Sequence, residues 1–122
     1  MDRAVAALIE DLIERGLYDS TLVVVMGEFG RTPRMNKDAG RDHWGKTFSV
    51  VFGCGSMRMG PVIGRSDARG ETIVERPIGP QDVASTVYQH LGIDSQSVAF
   101  RDQNGRPIYL IEQGQPIREL LG

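Results

Sequence analysis

Residues 21–26, TLVVVM, form an apolar run with one polar position at its start, and they lie a short turn beyond an amphipathic helix. That order constrains the fold more than any other feature of the chain. In residues 3–15, RAVAALIEDLIER, the residues Ala4, Val5, Leu8, Ile9 and Leu12 fall on one stripe, with Glu10, Asp11, Glu14 and Arg15 elsewhere. Gly16 supplies a helix stop and Leu17 a residue able to fold back on the last turn. After the turn Tyr18-Asp19-Ser20, an apolar run of this length reads as a strand covered on both faces, the pattern of a parallel sheet. Helix, turn and buried strand together predict an α/β fold.

The rest of the chain extends that reading. Thr47–Phe52, TFSVVF, predicts a second strand closed by GCGS, and Met57–Ile78 predicts a hairpin turning at SDARGE. Pro80 opens PQDVASTVYQHLG, a helix with Val83, Val87, Tyr88 and Leu91 on one face and Gly92 as its stop. DQNGRPIYL turns at Asn104 and Gly105 into a short strand, and PIRELL ends in one or two helical turns. With 122 residues the chain has the length of a single domain, residues 1–122.

Composition narrows the function classes. Apolar residues make up 40% and charged residues 25%, with no run long enough for a membrane span, so the chain reads as soluble and not membrane-bound. A net charge of −2, with aromatics not interleaved among the basic residues, argues against a nucleic-acid partner. A single cysteine, Cys54, allows no internal disulfide, and its small neighbours make it a core residue rather than a nucleophile. His90, on a helix beside Val87 and Leu91, reads as a structural histidine. No secretory signal is legible.

Chemistry concentrates after the first strand, in GEFGRTPRMNKDAGRDHW, residues 27–44. Between Arg31 and Lys46, five basic residues face Asp38 and Asp42, a local balance of +3 that favours a small anion. Arg31 and Arg34 offer planar donor forks for phosphate or sulfate, or are simply solvated. Glu28 follows Met26 with only Gly27 between, at the strand end where α/β folds bind ligands. With His43, and with Asp42 as a further ligand or supporting partner, it offers oxygen and imidazole donors suited to Zn, Mn or Fe. Spacing alone does not define a metal motif here. Glu28 serves equally as a helix cap or as an ion-pair partner of Arg31, and His43 as a loop residue bonded to the Asp42 backbone or packed by Trp44.

Those segments in order, TLVVVMGEFGRTPRMN, AGRDHW, PQDVASTVYQHLGID, NGRPIYL and GQPIRELL, resemble the C-terminal portion of the domain-of-unknown-function 1501 family, sulfatase-like proteins of the alkaline phosphatase superfamily. The resemblance implies a partial α/β/α fold of alkaline-phosphatase type, with a mostly parallel sheet, a C-terminal hairpin and divalent metal ions (Zn, Mn, Ca or Mg) at the sheet's carboxyl edge. In the superfamily the corresponding strand ends in Asp-His-Gly; here Glu28, Phe29 and Gly30 stand in those places, and His43 looks like the later metal-binding histidine. Phe29 departs from the pattern and cannot ligate.

The resemblance further implies that the nucleophile and an Asp-Thr-His stretch lie N-terminal to Met1, so that the chain is the C-terminal piece of a phosphate or sulfate ester hydrolase-like protein. Alone it is then expected to be inactive and, with part of its sheet exposed, to self-associate. The competing expectation is a non-catalytic binding or structural module that keeps the fold. Family members are commonly exported, but localisation is not legible in this chain.

Overall fold

The computed structural model describes residues 2–97 and 99–121. The chain forms two compact units, Met1–Pro77 and Ile78–Gly122. The first opens with α1 (Asp2–Glu14), a 3₁₀ turn at Tyr18–Ser20 and β1 (Val23–Met26). It continues through β2 (Gly30–Arg31), β3 (His43–Trp44), β4 (Val50–Gly53), β5 (Arg65–Ser66) and β6 (Ile73–Glu75). The second holds α2 (Pro80–His90), β7 (Ala99–Arg101) and β8 (Pro107–Tyr109). None of the described helices is long and apolar enough to cross a membrane.

Both helices stop where a glycine can take a left-handed backbone. Gly16 (φ 68°) lets its own N–H reach the Ile13 carbonyl and the Leu17 N–H reach Leu12, satisfying two carbonyls of the last turn of α1. Gly92 (φ 75°) does the same for α2, with bonds to Gln89 and, from Ile93, to Tyr88. Val5, Ile9 and Leu12 form the half-buried side of α1, whereas Leu8 stays about half exposed. Ile9 reaches over Gly53 of β4, where an added Cβ would lie 3.8 Å from its Cδ1.

The mostly parallel sheet and the α/β/α layering expected from the sequence are corrected by the structure. The strands form four separate antiparallel pairs, β1–β4, β2–β3, β5–β6 and β7–β8. β1 meets β4 in the register Val23↔Gly53, Val24↔Phe52, Val25↔Val51 and Met26↔Val50. The reason lies in the connection. Parallel neighbours need a crossover, usually a helix, that carries the chain back to the starting end. Here the chain leaves β1, makes a self-closing excursion through β2 and β3, and returns along β4 in the opposite sense. Val23–Val25 are accordingly half-buried, and Met26 is exposed.

Small side chains fill the tightest places. In the first unit Cys54 and Met57 are buried; Cys54 packs its thiol 3.2 Å from the Ser56 hydroxyl and near the Tyr18 and Asp19 carbonyls. In the second unit Ser85, Thr86, Ser95, Ile111, Ile117 and Leu120 are buried. Thr86 is bonded on both sides, donating to the Asp82 carbonyl at 2.7 Å and accepting the Ile117 N–H at 2.9 Å. Asp82 accepts from Gly79 N–H at the start of α2 and from Gln115 N–H, so one residue caps the helix and holds the tail.

Candidate functional site

The loop that leaves β1 is built on a ladder of only two residue pairs, Gly30↔Trp44 and Arg31↔His43. Side chains directly opposite share a face, so the ladder sets His43 beside Arg31. Phe29 joins them. Its ring centroid lies 4.0 Å from that of His43 with planes 42° apart, and the Arg31 guanidinium carbon lies 5.5 Å from the same ring. Gly30 is required here for close approach: an added Cβ would run into the Thr47 carbonyl oxygen and lie 2.9 Å from that of Trp44.

Trp44 is held from outside the ladder. Its indole N–H donates to the Glu71 carbonyl at 3.0 Å, the Thr47 hydroxyl donates to Gly70 at 2.8 Å, and Lys46 lies 5.0 Å from the indole ring. The receiving turn is fixed by Asp67, whose carboxylate accepts the Glu71 N–H at 2.8 Å. That bond, aided by those of Thr72 and Arg69 and opposed by burial, holds the Asp67 carboxyl below the ordinary carboxylate value. Hydrogen bonding likewise lowers Asp94 in the second unit, through the Gln96 N–H first and the Ser97 hydroxyl next.

Beyond the ladder the loop closes on its own polar groups. Thr32 N–H donates to the Asp42 carbonyl at 2.9 Å, and Asp42 N–H returns to the Thr32 hydroxyl at 3.0 Å. Arg41 donates to the Thr32 and Pro33 carbonyls at 3.0 and 2.8 Å. Asn36 accepts the Asp38 and Gly40 amides and donates to the Asp42 carboxylate at 2.8 Å.

The five residues singled out from the sequence thus separate. Arg31 and His43 are brought together. Asp42 turns its carboxylate to Asn36, as a loop clasp. Arg34 lies outside the ladder with its side chain 79% exposed and a long 3.8 Å ion pair to Glu71. Glu28 is exposed, and among the described residues it makes neither hydrogen bond nor ion pair. Among the described residues Glu28 caps no helix and pairs with no arginine, and the ring in contact with His43 is that of Phe29.

Glu28 and His43 have donor chemistry that fits a divalent ion in part. Both side chains are exposed and unbonded among the described residues, but a closed sphere takes about four ligands. No group of three or more His, Cys, Asp or Glu side chains able to hold a metal occurs among the described residues. Sequence reasoning missed the loop-holding roles of Thr32, Asn36 and Arg41. The Asn36–Gly40 spacing in NKDAG was the available signal, since an asparagine side chain readily closes a turn on following amides.

Neither a curated protein nor a solved structure matches the chain at a significant level. A family model does: the one described as protein of unknown function (DUF1501) matches residues 1–121, and the chain belongs to that family.

Proposed function

We propose that this chain supplies the anion- and metal-binding rim of a phosphate or sulfate ester hydrolase-like protein of the alkaline phosphatase superfamily, with the attacking group contributed from outside these 122 residues. The observation that carries this reading is the Arg31↔His43 pair, seated on Phe29 at the exit of β1. Arg31 presents an exposed guanidinium to a tetrahedral anion, and Arg34, only loosely tied to Glu71, adds a second positive charge. Arg41 is less suited to that role because its Nη1 is shared between the Thr32 and Pro33 carbonyls, whereas Arg31 spends Nη1 on a single long bond of 3.4 Å to the Arg41 carbonyl.

Glu28 and His43 would hold a divalent ion together with ligands from elsewhere. When bound, such an ion neutralises charge on the ester and lowers the pKa of an attacking group. The chain's own residues orient the anion: Arg31 binds an ester oxygen, and Phe29 shields one face of the His43 ring from water.

A second reading is favoured by the same aromatic contact. Phe29 cannot ligate and is used instead to pack His43, as a non-catalytic binding or structural module would use it. Titration of the purified chain with inorganic phosphate, sulfate and Zn²⁺ or Mn²⁺ tests the proposal. Saturable anion binding lost in Arg31→Ala, and metal binding lost in Glu28→Ala and His43→Ala, are expected. The isolated chain should not turn over aryl phosphate or sulfate esters. Absence of both binding events would overturn the proposal, and metal-dependent turnover abolished by Glu28→Ala would show that the attacking group lies within the chain.

A further inference from the structure

A ladder of two residue pairs does not set its own register. Short two-stranded ribbons are marginal in water, and a slip of one residue sends every side chain to the opposite face. In this loop a slip would set Trp44 opposite Arg31 and turn His43 away from Phe29. Something beyond the ladder must prevent it.

On the Trp44 side, the bonds of Trp44 to Glu71 and of Thr47 to Gly70 fix the chain after β3. They do not fix the length of the path between Arg31 and His43, which register also requires. That path is set at Asn36. Its backbone N–H donates to the Gly40 carbonyl at 2.8 Å, its carbonyl accepts the Ala39 N–H at 3.2 Å, and its Oδ1 accepts the Asp38 and Gly40 amides at 3.0 and 2.9 Å. Its remaining donor, Nδ2, reaches Asp42 Oδ1 at 2.8 Å. Asp42 is the residue whose backbone pairs with Thr32, one step beyond Arg31↔His43. One half-buried side chain therefore closes the turn and grips the first residue of the returning arm.

We infer that Asn36 is the positioning residue of the rim: through Asp42 it fixes the β2–β3 register that sets His43 against Phe29 and beside Arg31. The purpose assigned to this geometry rests on the reading of Arg31 and His43 as the anion- and metal-binding pair. Arg41 assists by donating from Nη1 to the Thr32 and Pro33 carbonyls on the outgoing arm of the loop.

The test uses the full chain at one fixed pH, with Asn36→Ala and with the double exchange Asn36→Asp/Asp42→Asn. The exchange keeps both amide acceptors at position 36 and reverses donor and acceptor in the bond to position 42. NMR reads the Phe29–His43 ring contact, amide protection along β1–β4 serves as the control for intact folding, and inorganic phosphate is the ligand probe.

In Asn36→Ala the ring contact should disappear, β1–β4 protection should persist, and phosphate affinity should fall about tenfold or more; the double exchange should restore contact and affinity. Persistence of the ring contact in Asn36→Ala overturns the inference. If the wild-type chain ignores phosphate while the ring contact is lost and then restored by the exchange, the positioning role stands and the anion reading falls. Should Asn36→Ala fail to fold, the double exchange decides: a folded exchange variant without the ring contact overturns the inference, and one with it supports the inference.

Discussion

The rings of Phe29 and His43 meet with centroids 4.0 Å apart and planes tilted by 42°, although thirteen residues separate them in the chain. Arg31 and His43 are cross-strand partners, and Phe29, in the bend just before β2, comes to the same side, with the Arg31 guanidinium carbon 5.5 Å from its ring. Replacing Phe29 by Leu removes the ring and keeps the apolar bulk. The expected cost to the first unit is about 0.5–1.5 kcal/mol. His43 ring proton shifts should move toward those of an unstructured histidine, which proton NMR reads directly; unchanged shifts would contradict the contact.

Gly30→Ala should destabilise the first unit by about 1–3 kcal/mol, because the new Cβ meets backbone oxygens of Thr47 and Trp44, which cannot swing aside. Gly45→Ala makes the control, since nothing lies within 4 Å of its added Cβ. Urea denaturation of the two variants side by side should separate them clearly. Equal midpoints would refute the close approach.

Thr86→Val keeps shape and removes both hydrogen bonds of a buried hydroxyl. The buried Ile117 N–H then loses its acceptor, with an expected cost of about 1–3 kcal/mol. Hydrogen exchange at Ile117 should accelerate more than exchange within β7 and β8. Uniform acceleration across the unit would point instead to general loosening.

Asp67 gives the first unit a pH dependence whose sign follows from the hydrogen bonds its carboxylate accepts. Its carboxyl is held low by the Glu71 N–H, so its folded pKa lies below its unfolded one. Such a group stabilises fully above the unfolded value, about 3.9, and its contribution is lost as pH falls through the folded value. The stability gap between wild type and Asp67→Ala should be constant near neutrality and shrink on acidification below about pH 4. Carbon NMR of the Asp67 carboxyl should give a midpoint lower than that of a free aspartate, and a higher one would reverse the assignment.

Exposed apolar side chains lie on several strands: Val51 on β4, Val74 on β6, Phe100 on β7 and Ile108 on β8. Short two-stranded sheets also leave backbone edges open to pairing. Self-association at moderate concentration is expected in light scattering, reduced by Val51→Lys or Phe100→Lys. A monodisperse monomer would contradict it.

The parts legible in the sequence were those decided locally. Gly16 and Gly92 end their helices through bonds reaching back a few residues, and the Asn104-Gly105 turn closes on Asp102 in the same way. Strand direction was not legible, because the apolar run Val23–Val25 looks the same whichever neighbour it takes. Its partner is chosen by the excursion between β1 and β4. The character of that excursion was hidden as well. Thr32, Asn36 and Asp42 form it with side-chain to backbone bonds, which leave no hydrophobic period, and Arg41 reads as one more solvated charge until its carbonyl partners are seen. Of the candidate site, the pairing of Arg31 with His43 follows from the ladder, whereas Glu28 and Arg34 are placed near it only by chain proximity.

Cys54 is the chain's sole thiol and is fully enclosed between Gly53 and Gly55. No maleimide can reach it without rupture of the wall made by Tyr18, Asp19 and the end of β4. The unmodified protein therefore carries its own stopwatch: the rate at which that single sulfur becomes labelled reports how often the first unit breathes open, with no engineered probe to disturb the count.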